Sequence, residues 1–142
     1  MKHILSITLL FFCSSFSFGQ QNEVINDTCI SVFDKSINRT IYEHVSIMPE
    51  FPGGEDSLFA FAGKNFVYPS IEAHVEGKII TSFIIESDGQ ITNKKIVSGL
   101  YKDIDDNVLK LIDKMPRWNS GLCNGKKVAV RYIFPFLIKL VE

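Results

Sequence analysis

The longest strand that the sequence predicts runs through residues 127–140 and ends close to the last residue of the chain. Its even positions form an unbroken apolar series, whereas its odd positions are mixed. The even series is Val128, Val130, Tyr132, Phe134, Phe136, Ile138 and Leu140. A period of two predicts a strand with one face in the core. Pro135 lies inside this segment and cannot donate a hydrogen bond to a neighbouring strand, so we expect one side of the strand to be unpaired.

Four further segments predict the rest of the fold. Residues 79–85 alternate as a half-buried strand does, and residues 91–98 return after the hairpin signal Asp88-Gly89, with a bulge where their alternation fails. One helix runs through residues 58–62, and a second, capped by Asp105, ends at Pro116. The order helix, strand, strand, helix, strand predicts an α+β fold: a small antiparallel sheet of about three strands, with two helices packed on one face.

The first residues have the pattern of an export signal. A short cationic start precedes an apolar run over residues 4–18, and Ser17-Phe18-Gly19 places small residues at the positions that favour a cut before Gln20. We therefore expect residues 1–19 to be a signal peptide and the protein to be periplasmic. The alternative is an uncleaved inner-membrane anchor through residues 4–18, although a spanning helix needs about 20 apolar residues.

Residues 20–47 show no sustained period and contain no proline, so we interpret them as a strap or linker, with local pairing around Ile30-Ser31-Val32-Phe33 as an option, before a domain at 48–142. Cleavage would remove Cys13 and leave Cys29 and Cys123 in an oxidising compartment. These two residues either form a disulfide between the strap and a late turn or remain unpaired thiols, because their spacing does not fix the geometry of a bridge.

Charge and motif content argue against several classes of function. Fifteen basic residues against 16 acidic ones give a net charge of -1, which does not favour binding to nucleic acid or to an anionic membrane surface. His44, His74 and Cys123 have no partners at metal-ligand or catalytic spacing. No glycine-rich phosphate loop follows a predicted strand. We therefore expect no enzyme activity, no metal and no cofactor.

A series of short motifs in residues 48–140 resembles the C-terminal domain of TonB-family proteins, in the form common among Bacteroidetes-type members. The motifs are Met48-Pro49-Glu50-Phe51-Pro52-Gly53-Gly54, Tyr68-Pro69, Gly77 before a strand, Asp88-Gly89, Met115-Pro116-Arg117-Trp118, Gly121, Asn124-Gly125-Lys126 and Pro135. Their order and spacing carry the resemblance. Ser120 stands where the family usually has proline, and the interval from Tyr68 to Gly77 is shorter than usual.

The resemblance implies a periplasmic domain that binds other proteins. Such domains dock on outer-membrane receptors by adding a receptor peptide to the free edge of the last strand, in TonB-dependent transmembrane transport. The residues that inherit this partner-binding role are Asn65, Tyr68, Pro69, Arg131, Tyr132, Ile133, Phe134, Pro135 and Phe136. For Tyr68, core packing is the alternative role, and for Trp118 it is the expected one.

Energy transduction is a separate expectation. A force-transmitting relative resembles this domain with a membrane anchor and a long proline-rich spacer, and residues 20–47 contain no proline. The alternative is a soluble structural or regulatory envelope protein that binds similar peptides, or another envelope partner, without an energy-transducing role.

Overall fold

The computed structural model describes residues 29–70 and 75–140. The expected signal peptide and its anchor alternative lie outside the described residues. The elements in chain order are β1 (Ile30–Asp34), β2 (Arg39–His44), α1 (Gly54–Asn65), β3 (Val75–Ile85), β4 (Ile91–Ser98), α2 (Lys102–Asp113), β5 (Gly121–Cys123), β6 (Lys126–Val128) and β7 (Val130–Leu140). Neither described helix is long and apolar enough to cross a membrane.

Five strands form the main sheet, in the order β1-β2-β7-β3-β4, and β5 and β6 form a separate small hairpin. β3 is antiparallel to both β4 and β7, whereas β2 joins β7 in parallel at Tyr42 and Val130. The fold is therefore α+β with a mixed sheet. The expected antiparallel sheet of about three strands was wrong in both strand number and direction, because β1 and β2 come from the segment interpreted as a strap.

The β1–β2 hairpin depends on contacts that a local sequence pattern does not record. Asn38 makes its turn in the left-handed region at φ 53°. The Arg39 guanidinium binds the Glu86 carboxylate through two hydrogen bonds of 2.9 and 2.5 Å, and Ile41 is fully buried. These contacts with the rest of the sheet hold two strands whose own side chains are mostly polar or exposed.

The core lies between the helices and one face of the sheet. The side chains of β3 that the alternation assigned to the core, Ile79, Thr81, Phe83 and Ile85, are all fully buried. Three residues of β7, Phe134, Phe136 and Ile138, join the same cluster, together with Leu58 of α1 and four residues of α2, which are Ile104, Val108, Leu111 and Ile112. The expectation of two helices on one sheet face is confirmed.

Element boundaries differ from expectation at three places. The strand expected over residues 127–140 is interrupted at Ala129, so that Val128 ends β6 in the small hairpin and Val130 begins β7 in the main sheet. α2 begins at Lys102, because the Asp105 carboxylate accepts the N–H of Leu100 at 3.0 Å and so stabilises the preceding loop instead of the start of the helix. Gly77 lies inside β3 and not before it. A Cβ there would lie 2.6 Å from the Leu100 side chain, so glycine permits the loop to pack on the strand. The expected bulge in β4 is present, with Asn93 at φ 50°.

Candidate protein-binding site

The two sides of β7 are paired very differently. On one side β3 pairs with it along its whole length, from Val130 to Leu140. On the other side the described residues provide a single partner, Tyr42 of β2, whose N–H donates to the carbonyl oxygen of Ala129 at 3.0 Å. The rest of this outer side is unpaired within residues 29–70 and 75–140, as Pro135 led us to expect.

The direction of the backbone groups follows from these hydrogen bonds. The carbonyl of Ala129 points toward β2, while the carbonyl of Phe134 points toward β3, where it accepts the hydroxyl of Thr81 at 2.9 Å. Backbone groups alternate in direction along a strand. Residues 133, 135 and 137 therefore direct their backbone groups away from β3. We call this stretch of β7, from Ile133 to Leu137, the open edge.

Side chains of β7 follow the opposite alternation between the two sheet faces. Phe134 and Phe136 are buried on the helix side, with ring centroids 4.7 Å apart, and Tyr132 packs on Trp118 at 5.1 Å. On the other face, the side chains of Ile133 and Leu137 are 53% and 82% exposed. Phe134 and Phe136 are thus part of the core, and Ile133 and Leu137 expose their side chains on the other face.

A cavity of about 590 Å³ lies against the open edge, between β7 and α1. Its described lining from α1 consists of Glu55, Phe59 and Ala62, and the strand side consists of residues 132–137 together with Lys78. The Phe59 ring is 54% exposed and lies 6.5 Å from the ring of Phe134. A volume of this size accommodates several side chains of a ligand.

The three expected contact residues near the end of α1 lie outside this lining. Asn65 donates to the carbonyl of Phe61 at 2.9 Å and lines a different cavity, which α1 shares with α2. Tyr68 is 60% exposed and packs edge-on against Phe66 at 4.9 Å, and Pro69 is partly buried. The described geometry therefore brings residues 132–136 of the expected set to the cavity, whereas Arg131 pairs with Asp34 and the other three lie apart from it.

Charged groups beside β7 are engaged in ion pairs with the hairpin. Asp34 binds the guanidinium of Arg131. Hydrogen bonds from the side chain and the backbone N–H of Ser36, and then from Arg131, lower the pKa of Asp34 to about 2. The Arg39 hydrogen bonds likewise lower the pKa of Glu86. Burial, and the nearby carboxylates of Glu55 and Glu50, raise the pKa of Tyr132.

A disulfide joins Cys29 to Cys123, with their Cα atoms 5.9 Å apart. It connects the residue before β1 to the end of β5, beside a small apolar cluster of Val45, Val128 and Val130. Ser46 lies at the same junction, where its hydroxyl accepts the N–H of Asn124 at 3.0 Å. The hairpin is thus attached to the rest of the domain at both of its ends.

Trp118 has the structural role that the sequence analysis assigned to it. It is 4% exposed and contacts the rings of Phe51, Phe83 and Tyr132 with centroid distances of 5.1 to 5.8 Å. Its indole N–H has no hydrogen-bond partner within the described part of the chain. Trp118 therefore packs in the core against the helix-facing side of β7, where it contacts Tyr132.

In the part of the chain that the structure describes, no group of three or more His, Cys, Asp or Glu residues is placed to hold a metal ion. The site is thus an exposed backbone edge beside an apolar cavity. The family model of the Gram-negative bacterial TonB protein C-terminal matches residues 64–140. The chain belongs to this family. TonB C-terminal domains are non-catalytic protein-interaction domains of the cell envelope. No curated protein matches the chain closely enough to count as a relative.

The sequence analysis did not identify the helix side of this TonB C-terminal site. Phe59 and Ala62 belong to a helix that was predicted, but apolar residues on a helix are normally assigned to the core. The sequence nevertheless contained an indication that Phe59 is not a core residue. Phe59 directly follows the core residue Leu58 and so lies on a different face of α1. The pairing of Tyr42 with β7 had no comparable signal, since the sequence indicated local pairing around residues 30–33 but not the strand at residues 39–44 or its partner.

Proposed function

We propose that this TonB C-terminal domain docks on outer-membrane receptors, or on other envelope partners, by β-strand addition in TonB-dependent transmembrane transport. The observation that supports the proposal is the asymmetry of β7, which is fully paired with β3 on one side and open from Ile133 to Leu137 on the other. An exposed strand edge is a template for pairing with an extended segment of another chain.

The open edge offers a short and uneven set of hydrogen bonds. Ile133 and Leu137 each present an N–H and a carbonyl oxygen, whereas Pro135 presents a carbonyl oxygen alone. Each backbone hydrogen bond contributes a net of about 0.5–1.5 kcal/mol. We further propose that side chains of residues 132–136 contact the partner strand, and that Arg131, Asn65, Tyr68 and Pro69 contact segments that flank it.

Leu137 provides the sharpest test because its side chain is 82% exposed. Leu137→Pro removes the outward N–H together with the side chain, whereas Leu137→Ala removes the side chain and keeps the N–H. Detergent-solubilised envelope of the native host is passed over each immobilised protein, and captured TonB-dependent receptors are quantified by mass spectrometry. Circular dichroism establishes that each variant is folded.

We expect the wild type and Leu137→Ala to retain receptors. Leu137→Pro should bind them about 2- to 13-fold more weakly than Leu137→Ala, which corresponds to the loss of one backbone hydrogen bond. Equal capture by the two folded variants would contradict strand addition at this edge. Capture of envelope proteins other than receptors, with the same dependence on the N–H of residue 137, would favour the alternative of a structural or regulatory partner.

A further inference from the structure

The cavity beside the open edge has a feature that the exposed backbone does not explain. Phe59 leaves more than half of its surface exposed, although its ring contacts that of Phe134 with centroids 6.5 Å apart, and the two residues line the cavity together. Burial of an aromatic ring of this kind is favourable by roughly 25 cal/mol per Å² of apolar surface. Occupation of the cavity by apolar groups would therefore be stabilising.

The hairpin restricts where an added strand can begin. Tyr42 already occupies the carbonyl of Ala129, so β2 blocks the outer side of β7 at Val130. A partner strand consequently starts beyond Arg131 and runs along Ile133 to Leu137. The segment that fits is short, and its register is limited at one end by a strand of this chain.

Side chains of an added strand would alternate between the two faces of the sheet. Those on the helix face would enter the cavity, where Phe59, Ala62 and Phe134 are apolar and where Glu55 is the charged group among the described residues of the α1 wall. Lys78 also borders the cavity, but it lies opposite Leu137 in the β3–β7 register and therefore belongs to the face away from the helices. The helix face therefore favours apolar side chains and opposes carboxylates.

We propose that the cavity between α1 and β7 is a specificity subsite for the docked segment, and this inference rests on the proposed strand addition. The subsite takes the apolar side chains at every second position of an extended peptide, with β2 limiting its register, and rejects acidic side chains at those positions. Phe59 is the specificity-determining residue.

Three synthetic peptides test the subsite: acetylated and amidated KTVTVTVTK, the same peptide with Ser in place of each Val, and the same peptide with Asp there. Each carries the same threonine frame and the same terminal lysines. Their affinities for the purified protein are measured by isothermal titration calorimetry. We expect the valine peptide to bind about 5- to 10-fold more tightly than the serine peptide, and the aspartate peptide to bind most weakly.

Two matched variants isolate the role of the helix wall. Phe59→Ser removes an aromatic ring that is 54% exposed and lines the cavity, and Tyr101→Ser removes one that is 55% exposed and lies outside its described lining. We expect Phe59→Ser to abolish the preference for valine over serine and Tyr101→Ser to leave it unchanged. Thermal unfolding verifies that both variants remain folded.

The outcomes separate the subsite from strand addition. Equal affinities for the valine and serine peptides, both weakened by Leu137→Pro relative to Leu137→Ala, would overturn the subsite and leave strand addition intact. A valine peptide that binds both Leu137 variants equally would overturn strand addition, and the subsite with it. Failure of the wild type to bind any of the three peptides would overturn both proposals.

Discussion

Removal of the Cys29–Cys123 disulfide is expected to destabilise the domain by an amount that the structure bounds. The bridge closes a loop with a sequence separation of 94 residues. In the chain-entropy model, the loop-closure term for a separation of this size is about 4.7 kcal/mol at 25 °C. This value is an upper limit, because the unfolded chain is not a featureless coil and measured contributions are commonly smaller.

Other contacts of the hairpin argue that the fold itself survives without the bridge. The Arg39–Glu86 and Arg131–Asp34 ion pairs and the hydrogen bond from Tyr42 remain when both sulfurs are removed. We therefore expect the double variant Cys29→Ser, Cys123→Ser to be folded and to lose about 2–4 kcal/mol in the free energy of unfolding.

Urea denaturation followed by circular dichroism measures this loss, with the oxidised wild type as the reference. The reduced wild type is the matched control, since it lacks the bridge without any substitution and should unfold at the same urea concentration as the double variant. A double variant within about 0.5 kcal/mol of the oxidised wild type would refute the reasoning. So would non-reducing mass mapping that finds both thiols free in protein isolated from its host.

Three further predictions concern other parts of the molecule. Because the pKa values of Asp34 and Glu86 are lowered on folding, the stability that they contribute is present above their unfolded values of 3.8 and 4.5. It is lost as the pH falls through their folded values, which for Asp34 is about 2. A urea midpoint that does not fall between pH 5 and pH 2.5 would contradict this. Gly89→Ala should lower the free energy of unfolding by at least about 1–3 kcal/mol, since the residue has φ +84° and its Cβ would lie 2.1 Å from a backbone carbonyl oxygen. Gly125→Ala, at φ +78° with open space around it, should lower it less, and equal shifts in melting temperature would argue against the steric reason. Cleavage before Gln20 predicts a mature protein whose intact mass lacks residues 1–19, and a full-length species in the inner-membrane fraction would instead support the anchor.

The core face of β3 could be predicted from the sequence, since Ile79, Thr81, Phe83 and Ile85 are all buried as their spacing indicated. The other face could not, because Ser82 and Ile84 are buried as well, so the expected half-buried strand was wrong over residues 81–85. Pro135 likewise indicated the unpaired side of β7, because its missing N–H is a property of the residue and not of its surroundings.

The β1–β2 hairpin could not be predicted in the same way. Its strands are held by ion pairs and a disulfide to residues distant in the chain, and single charged residues such as Arg39 give no local sign of their partners. The same reason applies to the cavity. Phe59 and Phe134 are far apart in sequence, so only the packing of α1 beside β7 brings their rings together.

The position of the disulfide determines how tension would pass through this domain. A pull on the chain before Cys29 enters the fold at the bridge and crosses directly to Cys123, which β6 alone separates from β7 along the chain. Residues 30–122, which include both helices, lie within the closed loop and are bypassed by the load. The mechanical path thus runs from the N-terminal segment through the sulfur atoms to the strand that would hold the partner, and intact sulfurs prevent the loop from being drawn out first.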